Sequence, residues 1–198
     1  MRMSRAEAAK NRARVVQGAA GAFRAQGYDG IGIAGLMQGA GLTNGAFYKQ
    51  FESKEALIAE ATATALAQNA ESWQAVLDEA AAAGADPLAA LCDWYLSEAH
   101  LAHPEKGCAY ATLAAEAPRH DGALREVFEA GLARTLGQIG AQIGGADAAA
   151  PGEAAEVAAM RQLSRMVGAL MLARAVRDPA LARRWLAANR APEGPRGA

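Results

Sequence analysis

The chain of 198 residues is short of cysteine, of aromatic residues and of long apolar runs. Its two cysteines, Cys92 and Cys108, cannot make the disulfide framework of a small secreted fold. No stretch of about 18 apolar residues occurs, so no transmembrane helix is expected. The basic start (Arg2, Arg5, Lys10, Arg12, Arg14) leads into no apolar core with a cleavage site. A signal peptide is therefore not expected, and a cytoplasmic protein is. Strand alternation and internal repeats are absent as well. So are a nucleophile–base–acid arrangement and a glycine-rich phosphate loop, and an enzyme is not expected. His100, His103 and Cys108, with Glu98 and Glu105 nearby, are too irregularly spaced for a ligand set. They read as solvated loop histidines, with neither a metal nor another cofactor expected.

What remains is strongly helical. Hydrophobic residues make up 52% of the chain and aromatics 6%, with alanine, the best helix former, dominant. The net charge is only −1, but it is unevenly spread. Residues 1–57 carry eight Lys/Arg against four acids, or +4, and the rest carries −5. That asymmetry suits a nucleic-acid-binding end on an acidic body.

The expected elements follow from periodicity and breakers. Residues 4–26 form a first helix, with Val16, Ala19, Ala20 and Phe23 on one apolar face. Gly27-Tyr28-Asp29-Gly30 ends it. Ile33–Gly39 is a short helix weakened by Gly35, which must lean on Val16, Phe23 and Phe47. Gly41 turns the chain, and Thr43 caps another short helix that ends near Gln50. Ser53, with Glu55 in the following turn, opens a helix running to about Ala83. Further helices are expected over 87–102, 108–117, 121–143, 153–177 and 180–188, with a soft loop at 144–152 and a disordered tail at 191–198. The fold class is all-α, with about nine helices. The expected domains are a helix-turn-helix unit over 1–52 and a ligand-binding and dimerisation domain over 53–190.

Two short helices joined by a glycine turn are the layout of a DNA reader. One helix crosses the backbone and the second enters the major groove, where base edges show distinct donors and acceptors. Helical spacing exposes Thr43, Asn44, Lys49 and Gln50 on the second helix. Asn44 and Gln50 suit adenine and Lys49 suits guanine. Gly45 admits a close backbone approach, and Tyr48 offers a hydroxyl to a phosphate. Lys54, at a helix N-terminus, is a further phosphate contact. Phe47 and Phe51 anchor the reader inward.

Residues 12–57 resemble the DNA-binding domain of TetR/AcrR-type bacterial transcriptional regulators. The resemblance rests on Phe23, Gly27-Tyr28, Ile33, Leu36, Ala40-Gly41-Leu42-Thr43, Gly45, Phe47-Tyr48, Phe51 and Ser53-Lys54-Glu55-Ala56-Leu57, with unbroken spacing. It implies an all-α homodimer with a variable C-terminal ligand-binding domain, usually a repressor that a small molecule releases from a palindromic double-stranded DNA operator. Three positions depart from the pattern. Ile31-Gly32 stands where the family has Thr-Ser/Thr, Ala34 where Arg is common, and Gln50 where His precedes the anchoring Phe. Gly32 and Ala34 leave the helix at 33–39 short of phosphate contacts, for which the basic N-terminal arm can compensate.

In the C-terminal body, Trp94, Tyr95, Cys108, Tyr110 and Phe128 are the candidates for lining an effector pocket between helices. The expected ligand is mostly apolar. Cys108, at a helix start beside Lys106, also admits a thiol-based redox or electrophile sensor, against the plainer role of a small buried residue. A helical interaction module with weak DNA binding is the remaining alternative. Met160, Leu163, Val167 and Leu170, continued by Leu181 and Trp185, repeat at steps that suit a dimer face of two helices per subunit.

Overall fold

The structure is a computed structural model and describes residues 4–144 and 152–191. It is all-α, with nine α-helices and no strand among the described residues. They are α1 (Arg5–Gln26), α2 (Ile33–Gly39), α3 (Lys54–Ala82), α4 (Pro87–Tyr95), α5 (Glu98–Ala102), α6 (Ala109–Leu113), α7 (Gly122–Gly144), α8 (Glu153–Ala175) and α9 (Pro179–Ala188). The residues between Gly144 and Gly152 and the expected disordered tail beyond Ala191 lie outside the described residues.

Capping chemistry sets most boundaries. Ser4 Oγ accepts from Glu7 N, Ser53 Oγ from Ala56 N, Asp86 from Leu88 N and Ala89 N, and Asp178 from Ala180 N. Each side chain satisfies an otherwise unpaired N–H of a first turn. At the end of α2, Leu42 N donates to Met37 O (2.9 Å) and Gly41 N to Gln38 O (2.9 Å), with Gly41 at φ +68. This paired bonding terminates the helix through a left-handed residue and turns the chain sharply.

Two stretches break differently from expectation. Residues 87–102 are two helices, because Ser97 caps a new start at Glu98 by accepting from His100 N. Residues 108–117 reduce to α6 and a 3-10 turn over Ala117–Arg119, where Pro118 cannot donate to a continuing helix.

The chain forms two compact units that divide it differently from the expected boundary at residue 52. The first comprises Met1–Ala67 with Pro104–Glu129, and the second Gln68–His103 with Ala130–Ala198. α3 and α7 each contribute residues to both. The first unit is built on Val15, Val16, Phe23, Tyr28, Met37, Phe47, Leu57 and Ile58, all buried. In the second, Trp73 of α3 meets Tyr95 of α4 edge-on at 5.4 Å, and Gln138 of α7 donates to Ala70 O at 3.0 Å. α8 and α9 pack together, and Arg174 of α8 donates to His100 O (2.6 Å) and Leu101 O (3.4 Å).

Leu163 and Leu170 belong to the second unit's own core, and Val167 is half-buried. Their helix instead exposes Val157, Met160, Met171 and Leu172, while α9 exposes Leu181 and Trp185. The expected stripe of Met160, Leu163, Val167 and Leu170 thus divides between core and surface. The helix carries apolar residues on more than one face, so spacing alone does not separate those that bury in the chain's own core from those left exposed.

Candidate nucleic-acid interface

The site is assembled in the first unit. α1 supports α2, and α2 supports the segment Asn44–Lys49. That segment is a 3-10 helix, not the expected α-helix, closed by Ala46 N to Thr43 O (3.0 Å) and Gln50 N to Phe47 O (2.8 Å). Gly45 weakens helix here, and short helical pieces commonly take the tighter 3-10 bonding. Thr43 is extended and stands at its start, but its hydroxyl makes no capping bond.

Phe47 is fully buried and Tyr48 is 73% exposed. Phe47 is held between the Tyr48 ring (centroids 5.1 Å apart, edge-on) and the Phe51 ring (5.4 Å). Anchoring Phe47 thereby displays Tyr48. Thr43, Asn44, Gly45 and Lys49 are also exposed, and beyond its chain neighbours and its own helix backbone nothing among the described residues lies within 4 Å of where a Cβ on Gly45 would stand. Five of the seven expected DNA-facing residues therefore share one short exposed segment.

The other two are placed differently. Gln50 is half-buried, and its carboxamide oxygen is buried without a hydrogen-bond partner among the described residues. Lys54 donates through Nζ to Tyr28 O at 2.6 Å. Its ammonium ties the first turn of α3 to the connection after α1. Spacing cannot reveal this, since Tyr28 is remote in sequence and a main-chain oxygen carries no residue signature. Gly32 starts α2 with no side-chain cap.

The basic arm is also partly committed to structure. Arg12 pairs through two nitrogens with the Glu60 carboxylate, donates through Nε to Gln50 O (3.3 Å), and stands 4.7 Å over the Phe51 ring. Arg24 is buried and donates to Ala20 O (3.0 Å) and Gly107 O (3.2 Å); burial pushes its pKa down. Arg14 bonds Asn11 Oδ1. Arg5, Lys10 and Lys49 are exposed, with no ion pair among the described residues, and are the cations open to phosphate.

Tyr28 is a hub that sequence reasoning treats only as a helix breaker. Its ring is buried, edge-on to Phe23 (5.3 Å) and to His120 (4.9 Å), and its hydroxyl bonds Thr62 Oγ1 (2.8 Å). Burial, chiefly, pushes its pKa up to about 12.

The five candidate effector residues fall into both units. In the first, Cys108, Tyr110 and Phe128 are buried, with the last two rings 6.2 Å apart. In the second, Tyr95 is fully buried, while Trp94 is 41% exposed and stacked on His100 at 5.8 Å. Burial also drives His100 down to about 4, although its Nδ1–H bond to Tyr95 O (2.7 Å) opposes the shift. The Cys92 thiol, buried beside Met166 and Gln162, is pushed up to about 11. Among the described residues, no group of three His, Cys, Asp or Glu could hold a metal ion, and no helix is long and apolar enough to cross a membrane.

Comparison with known proteins bears on this arrangement. The family model for bacterial regulatory proteins of the tetR family matches residues 15–61, and that for the tetracyclin repressor-like C-terminal domain matches residues 84–189. The solved TetR-family transcriptional regulator from Cytophaga hutchinsonii shares the fold with a TM-score of 0.72 at 18% identity, covering 96% of this chain and 95% of its own. A TetR regulator from Chloroflexus aurantiacus gives 0.71 at 26% identity, covering 92% and 93%. The reduced form of E. coli NemR gives 0.71 at 19% identity, covering 90% and 95%. No curated protein matches in sequence. The two family models together match most of the chain, and the chain belongs to the TetR family of bacterial regulatory proteins, which are DNA-binding regulators and not enzymes.

Proposed function

We propose that the chain is an effector-responsive repressor that binds a palindromic operator as a homodimer. The observation that carries the DNA-reading part is the exposed segment Thr43–Lys49, displayed by a buried Phe47. In this reading Asn44 and Lys49 meet base edges and Thr43 assists them, Gly45 lets the backbone close on the groove, and Tyr48 meets a phosphate. Lys54 supports the reader through its bond to Tyr28 O, and Gln50 through the main-chain oxygen that accepts from Arg12 Nε. The apolar stripe of Val157, Met160, Met171, Leu181 and Trp185 supports dimerisation. Two heads then meet half-sites roughly 34–36 Å apart. An effector acts by preferring a conformation whose two heads do not fit the operator.

The test starts from duplexes selected out of a randomised pool by the full-length chain. Recovery of a palindrome bound with steep salt dependence supports the reading. Lys49→Ala should lower affinity for that duplex about tenfold or more, as expected for a base contact worth ~1–3 kcal/mol. Wild-type affinity in Lys49→Ala and Tyr48→Phe would count against this placement. The sensor reading for Cys108 is opposed by a thiol only 1% exposed, since reactive cysteines are accessible.

A further inference from the structure

The motif that faces DNA occupies a short stretch between two connections. Before it runs the link from α1 to α2, centred on Tyr28. After it comes the first turn of α3, with Lys54 and Glu55. Both ends are gripped by the 3-10 turn at Ala117–Arg119, more than fifty residues downstream of the matched N-terminal model.

Glu116 enters this turn and His120 leaves it; bonds from Arg119 N to Glu116 O (2.9 Å) and His120 N to Ala117 O (3.2 Å) hold the two in fixed relation. Glu116 Oε2 accepts from Tyr28 N at 3.0 Å. His120 Nδ1 donates to Glu55 Oε2 at 3.0 Å, and its ring meets the Tyr28 ring edge-on at 4.9 Å. Lys54 completes the ring of contacts by donating to Tyr28 O. Both main-chain polar groups of Tyr28 are thus bound by charged side chains. A carboxylate on one side of this turn binds the connection that leads to α2, and an imidazole on the other side binds the first turn of α3.

The geometry points to Glu116 and His120 as positioning residues for DNA reading, which clamp the reading segment from its two ends although neither lies in the helix-turn-helix. This inference rests on the proposed reading of Thr43–Lys49 as the DNA-facing segment. Its physical basis is leverage. Tyr28 stands five residues before α2, so a small shift of its main chain reorients α2 and the segment packed on it. Base contacts require hydrogen-bond geometry and tolerate little displacement. The carboxylate must reach the Tyr28 amide; its negative charge alone does not suffice.

The experiment uses the full chain and a duplex selected from a randomised pool by the wild-type protein, with fluorescence anisotropy for affinity and amide hydrogen exchange at Tyr28. Glu116→Asp keeps the charge and withdraws the acceptor by one methylene. It should lose about tenfold in affinity, the scale of one charge-assisted hydrogen bond, and Tyr28 exchange should accelerate similarly. Glu116→Gln, which keeps the reach and an acceptor oxygen but not the charge, should lose clearly less, about threefold, because a charge-assisted hydrogen bond is roughly twice as strong as a neutral one. His120→Ala should weaken binding with its helical content retained. Wild-type affinity in Glu116→Asp with an unprotected Tyr28 amide overturns the inference, as does equal loss in Glu116→Asp and Glu116→Gln. Should the wild-type chain select no duplex, the reading of Thr43–Lys49 fails instead.

Discussion

Gly27→Ala should cost far more than its place in a short connection suggests. Gly27 has φ +75 and ψ 171, a region open almost only to glycine, and alanine there costs roughly 1–3 kcal/mol. A Cβ at this position would also stand 2.8 Å from Glu116 Oε1 and 3.3 Å from Oε2. The Glu116 side chain can swing away, but only by releasing the Tyr28 amide, a charge-assisted bond worth about 1.5–3 kcal/mol. Glu116 is partly exposed, which favours the lower end of that range. The two terms give about 3 kcal/mol, a large share of the ~5–15 kcal/mol that holds a typical domain. Denaturant unfolding of the full chain, with protein concentration held fixed because oligomers couple stability to it, measures the loss directly. Repeating it in a Glu116→Ala background separates the terms. There the clash is gone, and Gly27→Ala should cost only the backbone part, about 1–3 kcal/mol. A loss under about 1 kcal/mol in the wild-type background would refute the backbone argument. Equal costs in both backgrounds would refute the part assigned to Glu116.

Other expectations follow from burial. His100 has a folded pKa near 4 against an ordinary 6.5, so its stabilisation is complete above pH 6.5 and is lost as pH falls through 4. The loss should be on the order of 2–3 kcal/mol, visible in acid unfolding and absent in His100→Asn if that variant keeps the bond to Tyr95 O. Cys92 and Cys108 should resist a water-soluble alkylating reagent at neutral pH in the native chain and react fully in denaturant. Rapid native labelling of Cys108 would revive the sensor reading. Met160→Glu on the exposed stripe of α8 should shift sedimentation toward monomer by at least tenfold in dissociation constant, the scale of one charge in an apolar interface, and should leave helical content unchanged. An unaltered dimer would move the interface elsewhere.

Much of the reading unit is legible in the sequence, because its signals are local. Gly41 must adopt positive φ, and Ser4, Ser53, Asp86 and Asp178 cap by reaching two or three residues along the chain. Such bonds are visible as residue types at short spacing. α2 falls where its pattern places it. Lys54 and Gln50 read equally well as DNA contacts in sequence, yet Lys54 is bonded to Tyr28 O and the Gln50 carboxamide oxygen is buried. Arg12 is likewise drawn into a pair with Glu60. For Lys54 and Arg12 the partner is distant in sequence and exists only once the helices pack, and the Gln50 carboxamide oxygen is likewise buried only by that packing.

The same distinction divides the whole molecule. Composition, caps and glycine turns by themselves determine an all-α chain with a helix-turn-helix near its start, since helix propensity and turn stereochemistry act within a few residues. Only the tertiary structure decides that Asn44–Lys49 is 3-10, that Leu163 and Leu170 face inward while Met160 does not, and that residues 104–129 join the first unit. Those outcomes depend on which faces bury against one another and on long-range bonds such as Glu116 to Tyr28. No local pattern encodes them.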